Sequence, residues 1–163
     1  MTGRELVVRV AELQVGGRGE VLVTIGLGSC VAIVLHDPVA AVGGLAHVLL
    51  PSPSLSRRDD AGPGRFPQTA VPALVEAMAG RGAVPRRLTA RLVGGAAMFT
   101  NLAPVGTIQM GERNGVASRQ ALLAHGIAVV GEDLGGDYGR TVRLHVATGD
   151  LDVTSLRHGA RRL

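Results

Sequence analysis

The chain has 163 residues, which is enough for one domain with its own hydrophobic core. Aromatic residues make up only 2% of the chain, and all 17 basic residues are arginine in a formal charge of +4. Scattered arginines without aromatic platforms for base stacking argue against nucleic-acid binding. A single cysteine allows no internal disulfide, and no apolar run approaches the roughly 20 residues that span a bilayer, so we expect a cytoplasmic protein without membrane insertion.

The first third of the chain predicts short strands joined by tight turns. Glycine-rich turns are predicted at residues 16–19 and 26–28, and a His-Asp-Pro turn is predicted at residues 36–38. The predicted strands of this region cover residues 6–13, 21–24, 31–35 and 44–50.

A long irregular loop and a helix are predicted next. Residues 51–67 are rich in Pro, Ser, Gly and charge, a composition typical of a flexible or functional loop. Thr69 is the predicted N-cap of a helix, with Pro72 in its first turn. The apolar face of this helix consists of Val71, Leu74, Val75 and Met78.

The remaining chain predicts a second helix and more strands. Asn114 is the predicted N-cap, and Gly126 ends the helix with Ile127 positioned for a Schellman contact. One side of this helix is predicted to consist of Val116, Ala117, Gln120 and Leu123. The predicted strands cover residues 88–93, 127–130, 141–146 and 151–153. A short basic tail is expected at about 156–163.

These elements predict one domain over residues 1–163. It is an α/β domain with two main helices on an extensive antiparallel or mixed sheet system. No internal repeat or linker divides it.

Cys30 and His47 are the candidate reactive pair. Cys30 follows a Gly-x-Gly-Ser turn, and His47 lies in the returning strand. If residues 37–40 form a four-residue hairpin loop, Cys30 lies opposite His47, with Cβ atoms roughly 4.5–5.5 Å apart. A bulge at Gly43-Gly44 would instead turn His47 to the other face.

A thiol beside an imidazole suits attack on a carbonyl or carboxamide carbon. The imidazole favours the thiolate and protonates the leaving group. Thr24 is the nearest candidate for orienting His47. Backbone N–H groups around Gly28 and Ser29 are candidates for an oxyanion hole. Chemistry alone leaves a cysteine amidase, a thioesterase and a peptidase open.

Several sequence blocks resemble the CheD family of chemoreceptor glutamine deamidases. Residues 24–32 read TIGLGSCVA, and residues 43–51, reading GGLAHVLLP, follow an Asp-Pro turn. Three later blocks also match in order, GGAAMF at 94–99, GERN at 111–114 and EDLGGDYGR at 132–140. The matches extend from about residue 20 to residue 153.

The resemblance implies a three-layer α/β sandwich similar to the catalytic domain of cytotoxic necrotizing factor toxins. It implies that Cys30 is the nucleophile, His47 the general acid and base, and Thr24 a support for His47. The implied substrates are glutamines in the cytoplasmic helical region of methyl-accepting chemotaxis receptors, with a CheC-type phosphatase as a further partner. The alternative is an adaptor module that docks on these partners with little or no turnover.

Two other patterns favour structural roles. The Gly94-Gly95 and Gly135-Gly136 pairs lack the residues of a phosphate-binding loop, so we interpret them as turns. The carboxylates of a glycine-rich segment, Glu132, Asp133 and Asp137, could suggest a metal cluster. No second His or Cys lies near them in the sequence. We therefore expect no metal and no cofactor.

Overall fold

The computed structural model describes residues 3–56, 62–98 and 109–163. Ten strands and two α-helices lie within these ranges. The strands are β1 (Arg4–Val7), β2 (Leu13–Gly16), β3 (Glu20–Leu27), β4 (Val31–Asp37), β5 (Val42–Val48), β6 (Thr89–Gly94), β7 (Ala128–Leu134), β8 (Arg140–His145), β9 (Asp150–Ser155) and β10 (Gly159–Arg162). The helices are α1 (Pro67–Ala79) and α2 (Met110–Ala124).

The strands form two stacked mixed sheets, and both helices cover the outer face of one of them. The first sheet has the order β1-β3-β8-β9-β10 and the second β2-β5-β4-β6-β7. Alternate residues of β4 point into two cores, because side chains along a strand alternate between faces. Ile33 and Leu35 pack with the helices, whereas Ala32 and Val34 pack between the sheets. The predicted α/β fold with mixed sheets and two main helices is confirmed; its similarity to the toxin domain stays a prediction.

The β4–β5 hairpin has a different register from the predicted one. His47 pairs with Ala32, not with Cys30. The pairing is displaced by two residues, and a displacement by an even number keeps every side chain on its face. Cys30 and His47 therefore lie on the same face, as predicted, but diagonally rather than directly opposite each other.

The hairpin loop explains this displacement. Asp37 is still paired, and the loop consists of residues 38–41, one position later than predicted. The Asp37 Oδ1 atom accepts hydrogen bonds from the N–H groups of Val39 (2.9 Å) and Ala40 (3.1 Å). Ala41 closes the loop with a φ of 52°. The aspartate side chain thus stabilises a turn that starts after it instead of at it.

The Gly43-Gly44 pair forms no bulge, since β4 and β5 pair through it without a shift. A Cβ atom added at Gly43 would lie 2.8 Å from a Leu144 methyl carbon in the facing sheet. One added at Gly44 would lie 2.9 Å from the Met78 sulfur in α1. The two glycines therefore allow close packing on both sides of β5.

Helix α1 begins earlier than predicted. Its N-cap is Phe66 and Pro67 occupies the first turn, so Thr69 is not the N-cap and Pro72 lies inside the helix. The Thr69 hydroxyl instead donates to the Pro63 carbonyl (2.7 Å), with the Phe66 carbonyl further away (3.2 Å). The proline at 67 starts the helix because its missing N–H has no helical partner at that position. Three of the four predicted apolar positions are buried, namely Val71, Leu74 and Met78.

Helix α2 also starts before its predicted N-cap. Gln109 is the N-cap, and Asn114 lies one turn inside the helix, fully buried. The predicted side of the helix is wrong at Val116, Gln120 and Leu123, which are exposed. Small residues make up most of the true buried face, which consists of Gly111, Asn114, Gly115, Ala117, Ser118, Ala121 and Leu122. Such a face is a weak hydrophobic signal in a sequence.

The predicted end of α2 is confirmed. Gly126 has a φ of 67°, and the Ile127 N–H donates to the Leu122 carbonyl (3.0 Å), as in a Schellman ending. Within the described ranges, neither helix is long and apolar enough to cross a membrane.

Three further segments differ from the structure that the sequence predicted for them. The predicted strand at 6–13 is split into β1 and β2, and Ala11 between them has a φ of 67°. Loop 51–67 contains 3-10 turns at Pro53–Leu55 and Pro63–Arg65, and its residues 57–61 lie outside the described residues. Residues of the expected basic tail form β10, which pairs antiparallel with β9.

Candidate active site

Three predicted site residues come together between the two sheets. Thr24 lies in β3 of the first sheet, whereas His47 lies near the end of β5 in the second sheet. Cys30 immediately precedes β4. Thr24 and His47 are fully buried, and Cys30 is 9% exposed. The thiol is therefore the most accessible of the three groups.

Thr24 fixes the tautomer of His47. The Thr24 hydroxyl contacts the Val8 carbonyl oxygen (2.6 Å) and Nδ1 of His47 (2.7 Å). A carbonyl oxygen can only accept, so the single hydroxyl proton is donated to Val8. The contact with Nδ1 is then a hydrogen bond that the imidazole donates. Nε2 consequently carries the free lone pair and can accept a proton.

The lone pair on Nε2 of His47 has no hydrogen-bond partner among the described residues, although the atom is buried. Desolvation by burial lowers the pKa of His47 to about 4, because the charged imidazolium is disfavoured away from water. The imidazole is therefore neutral at pH 7 and has a free basic nitrogen.

The Cys30 thiol is also neutral at rest. Burial raises its pKa, and the Cys30 backbone N–H opposes this shift only in part. The predicted hydrogen-bonded contact between thiol and imidazole is not formed, since Nε2 of His47 lacks a partner. The diagonal register accounts for this, because diagonal neighbours on paired strands are further apart than opposite ones.

The segment before β4 is anchored through its carbonyl groups. The Ala96 N–H donates to the Gly28 carbonyl, and the Gly95 N–H donates to the Cys30 carbonyl (both 2.8 Å). These bonds attach the segment to the loop after β6. The role of the N–H groups near Gly28 and Ser29 as an oxyanion hole stays a prediction.

Asn114 anchors the same segment from the other side, and its role was missed from the sequence. Its Nδ2 atom donates to the Ser29 carbonyl (2.9 Å) and to the Leu49 carbonyl (3.1 Å). Its Oδ1 atom is buried without a partner among the described residues. The GERN block carried a signal, but we interpreted its asparagine as a helix cap.

The acidic residues considered as metal ligands are all paired with arginines. Glu132 pairs with Arg119, Asp133 with Arg140 and Asp137 with Arg157. Within the described ranges, no group of three His, Cys, Asp or Glu residues could hold a metal ion. These carboxylates therefore neutralise arginines on and around β7.

An open cleft of about 500 Å³ lies beside the end of β3. Ile25, which follows Thr24, lines it together with Tyr138 and Leu156. Ile25 and Leu156 are both exposed apolar side chains. Strand β3, whose Thr24 hydrogen-bonds His47 in the interior, thus also contributes Ile25 to an apolar surface outside.

The chain is similar to one known family along its whole length. The family model described as CheD chemotactic sensory transduction matches residues 49–155. A protein of Caldanaerobacter subterraneus named probable chemoreceptor glutamine deamidase CheD is 41% identical over 161 residues, 99% of each chain. A Symbiobacterium thermophilum protein of the same name is 42% identical, with 100% of both chains covered. A Geobacter metallireducens protein, probable chemoreceptor glutamine deamidase CheD 2, is 43% identical over 96% of both chains.

One solved structure supports the fold. A Neisseria meningitidis protein of the DUF152 family matches with a TM-score of 0.50 and 12% identity, over 83% of this chain and 63% of that one. At this identity the match concerns the fold alone.

Proposed function

The chain belongs to the CheD family, and from that premise we propose that it is a protein-glutamine deamidase acting on methyl-accepting chemoreceptors. The proposed reaction converts particular receptor glutamines to glutamates and releases ammonia. The printed names of the relatives support the reaction and the class of substrate. Cys30 is the proposed nucleophile, His47 the proposed acid and base, and Thr24 a positioning residue.

One observation supports this assignment above the others. Thr24 holds His47 in the tautomer with a free Nε2, on the face of the hairpin that also carries Cys30. A base with a buried, unpartnered nitrogen, on the same face of the hairpin as the only cysteine of the chain, is suited to receive a thiol proton. A purely structural histidine would normally have both ring nitrogens hydrogen-bonded.

The first half of the proposed reaction forms a thioester. The Cys30 sulfur attacks the carboxamide carbon of glutamine while Nε2 of His47 takes the thiol proton. Backbone N–H groups of the 28–30 segment stabilise the negative oxygen of the tetrahedral intermediate. The carbon–nitrogen bond then breaks, and His47 returns the proton to the leaving nitrogen, which departs as ammonia.

The second half consumes one water molecule. Water loses a proton to Nε2 of His47 and attacks the thioester carbonyl. The carbon–sulfur bond breaks, the sulfur recovers the proton, and glutamate leaves. Because thiol and imidazole are both neutral at rest, the proton transfer occurs during attack and no standing ion pair is required.

An adaptor module with little turnover is the second candidate. The raised pKa of Cys30 favours it, because the thiolate is scarce at neutral pH. An adaptor would bind receptor fragments equally well with or without the thiol. A CheC-type phosphatase as partner stays a prediction of the family resemblance, and a cytoplasmic location stays a prediction of the single cysteine and the short apolar runs.

The deciding experiment incubates purified protein with cytoplasmic receptor fragments and measures peptide masses. We expect a gain of about 1 Da at particular glutamines with the wild type, and a rate at least about 10⁴-fold lower with Cys30→Ala, because the nucleophile is missing. Binding of the fragments is measured alongside. Binding by both proteins with deamidation by neither supports the adaptor, and equal deamidation by both excludes Cys30 as nucleophile.

A further inference from the structure

Asn114 connects the two chain segments that carry the candidate reactive residues. Its Nδ2 atom donates both of its protons, one to the carbonyl of Ser29 and one to that of Leu49. Ser29 immediately precedes Cys30, and Leu49 follows His47 by two residues. Because carbonyl groups only accept, the side-chain amide has just one possible orientation.

The hydrogen bond from Asn114 to the Ser29 carbonyl also fixes the direction of the next N–H group, that of Cys30. In a trans peptide the C=O of one residue and the N–H of the next lie in one plane and point in opposite directions. Holding the Ser29 oxygen on α2 therefore directs the Cys30 N–H away from Asn114. Burial raises the pKa of the Cys30 thiol, and this N–H lowers it by a smaller amount.

Helix α2 is a rigid support for this contact. Gly111 packs so tightly on the loop after β6 that an added Cβ would lie 2.4 Å from the Ala96 carbonyl oxygen. The same loop donates hydrogen bonds to the carbonyls of Gly28 and Cys30. Three consecutive carbonyls before β4 are thus held by groups packed against each other.

The asparagine leaves a buried oxygen without a partner among the described residues. An unpartnered buried polar atom destabilises the folded state. A residue serving only to fill space between α2 and the sheet would avoid this cost with an apolar side chain. The two donated hydrogen bonds are therefore the feature that distinguishes an asparagine here.

We propose that Asn114 is a positioning residue, whose amide holds the Ser29–Cys30 peptide so that the Cys30 N–H faces the oxygen of the tetrahedral intermediate. The proposal rests on the proposed function for its reaction class, acyl transfer to a thiol. Asn114 itself touches neither substrate nor sulfur in this role. The proposed role concerns the step in which negative charge develops on oxygen; a change in thiol ionisation would alter acylation and alkylation alike.

Two small reagents distinguish stabilisation of the oxyanion from ionisation of the thiol, and neither assay requires a receptor fragment. Acylation of Cys30 by p-nitrophenyl acetate passes through a tetrahedral oxyanion and releases a burst of p-nitrophenol. Alkylation by iodoacetamide displaces iodide and forms no oxyanion. Both reactions require the thiolate and access to the sulfur, so the ratio of their rates reports the oxyanion site.

The variants are Asn114→Ala, Asn114→Asp and, as matched control, Ser118→Ala. Ser118 is buried one turn further along α2, and its hydroxyl donates to the Asn114 carbonyl (2.7 Å). Among the described residues, no hydrogen bond joins its side chain to the segment before β4. For Asn114→Ala we expect the acylation rate to fall about tenfold to a hundredfold, somewhat less than loss of an oxyanion donor itself. Alkylation changes less than about threefold, and Ser118→Ala leaves the ratio unchanged.

Asn114→Asp keeps the size of the side chain and adds a pH signature. An ionised carboxylate repels the Ser29 carbonyl oxygen, whereas the protonated carboxyl can donate to it. The ratio for this variant therefore recovers as pH falls, while that of the wild type does not. This variant also serves if Asn114→Ala fails to fold.

An unchanged ratio in a folded Asn114 variant overturns the proposal, as does an equal fall of both rates. Absence of Cys30-dependent acylation in the wild type also overturns it. Wild type that acylates normally but deamidates no receptor fragment contradicts the proposed function and leaves the assignment of Asn114 standing.

Discussion

The two ends of the β4–β5 hairpin bury polar groups in opposite ways. At the loop end, Asp37 is fully buried and accepts hydrogen bonds from Arg87 (3.0 Å) and from the Val84 N–H (2.8 Å), in addition to its contacts within the loop. Burial by itself raises the pKa of Asp37, but these donors together hold it well below its usual range. At the open end, His47 has one nitrogen bonded to Thr24 and the other without a partner.

This difference indicates which buried groups stabilise the fold and which are kept for chemistry. A buried charge with all its bonds satisfied has nothing to offer a substrate, and removing one partner is costly. A buried base with a free lone pair costs stability in the resting state. In the proposed reaction this base receives the proton of the Cys30 thiol.

Within the hairpin, the largest expected effect follows from removing the free Nε2 nitrogen of His47. His47→Gln keeps similar bulk and an amide N–H for Thr24 but has no basic nitrogen. We expect deamidation to fall about 10³-fold, within the range for general acid–base catalysis, with a change of less than about 1.5 kcal/mol in unfolding free energy. Receptor-fragment mass spectrometry and urea unfolding measure the two quantities.

The control for this variant is His36→Gln at the loop end. His36 is also buried, but its Nε2 bonds the Val146 carbonyl (2.8 Å). We expect it to lose stability and to keep its kcat. Comparable losses of kcat in the two variants would mean that the free nitrogen has no special role.

At the loop end, the expected effect is on stability. Asp37→Asn removes a fully buried charge opposite Arg87 and lowers the unfolding free energy by about 3 kcal/mol. The kcat of the folded fraction stays within about threefold, since the site lies at the other end of the hairpin. Asp150→Asn, at an exposed ion pair with Arg162, is the matched control and costs at most about 1 kcal/mol. A loss at Asp37 no larger than this control would contradict the structural role.

Thr24→Val tests the orientation of the base. Valine keeps the shape but cannot accept the Nδ1 proton, so the imidazole can take the other tautomer, in which Nε2 is no longer basic. We expect kcat to fall about tenfold to a hundredfold, with KM little changed, and Thr24→Ser to restore most of it. Steady-state kinetics on one receptor fragment measures this, and failure of serine to rescue would argue against the hydroxyl.

The last expected effect is the pH dependence of stability, which differs between the two ends. The pKa of His47 is lowered to about 4 in the folded protein, against about 6.5 when unfolded. The unfolded state therefore binds more protons between these values, and stability falls as pH drops through this window, by at most about 1.4 kcal/mol per pH unit.

The Asp37 contribution behaves differently, because its folded pKa is depressed. It is present above the unfolded pKa of about 3.9 and is lost only below that value. Unfolding free energies between pH 4.5 and 6.5 should thus slope more steeply for the wild type than for His47→Gln. Parallel slopes would mean that His47 is not held neutral.

Much of the hairpin and of the candidate site could be predicted from the sequence, and the predictions that were wrong have physical causes. Cys30 and His47, the candidate reactive pair, were correctly predicted to lie on one face of the hairpin. The face of a side chain depends only on whether the register of β4 and β5 is displaced by an even or an odd number of residues. The predicted register was wrong by two residues, so the faces were still right. The hairpin loop was predicted one residue too early, because an aspartate such as Asp37 can either start a turn or end a strand. Only its contacts with Arg87 and Val84 determine which of the two it does. Those partners lie some 50 residues away and leave no local signal.

Asn114 was misread for a related reason. An asparagine near a helix start favours an N-cap, and the small residues around it make a weak apolar face. Its two acceptors, Ser29 and Leu49, are distant in sequence. The family resemblance identified the block but not the contacts that the asparagine makes.

The most direct test of Cys30 as the nucleophile uses the fact that it is the only cysteine in the chain. Iodoacetamide is added in increasing amounts, and residual deamidation of a receptor fragment is plotted against the fraction of Cys30 alkylated, measured by intact mass. We predict a straight line that reaches zero activity at full modification. Deamidation that persists in fully alkylated protein would contradict Cys30 as the nucleophile.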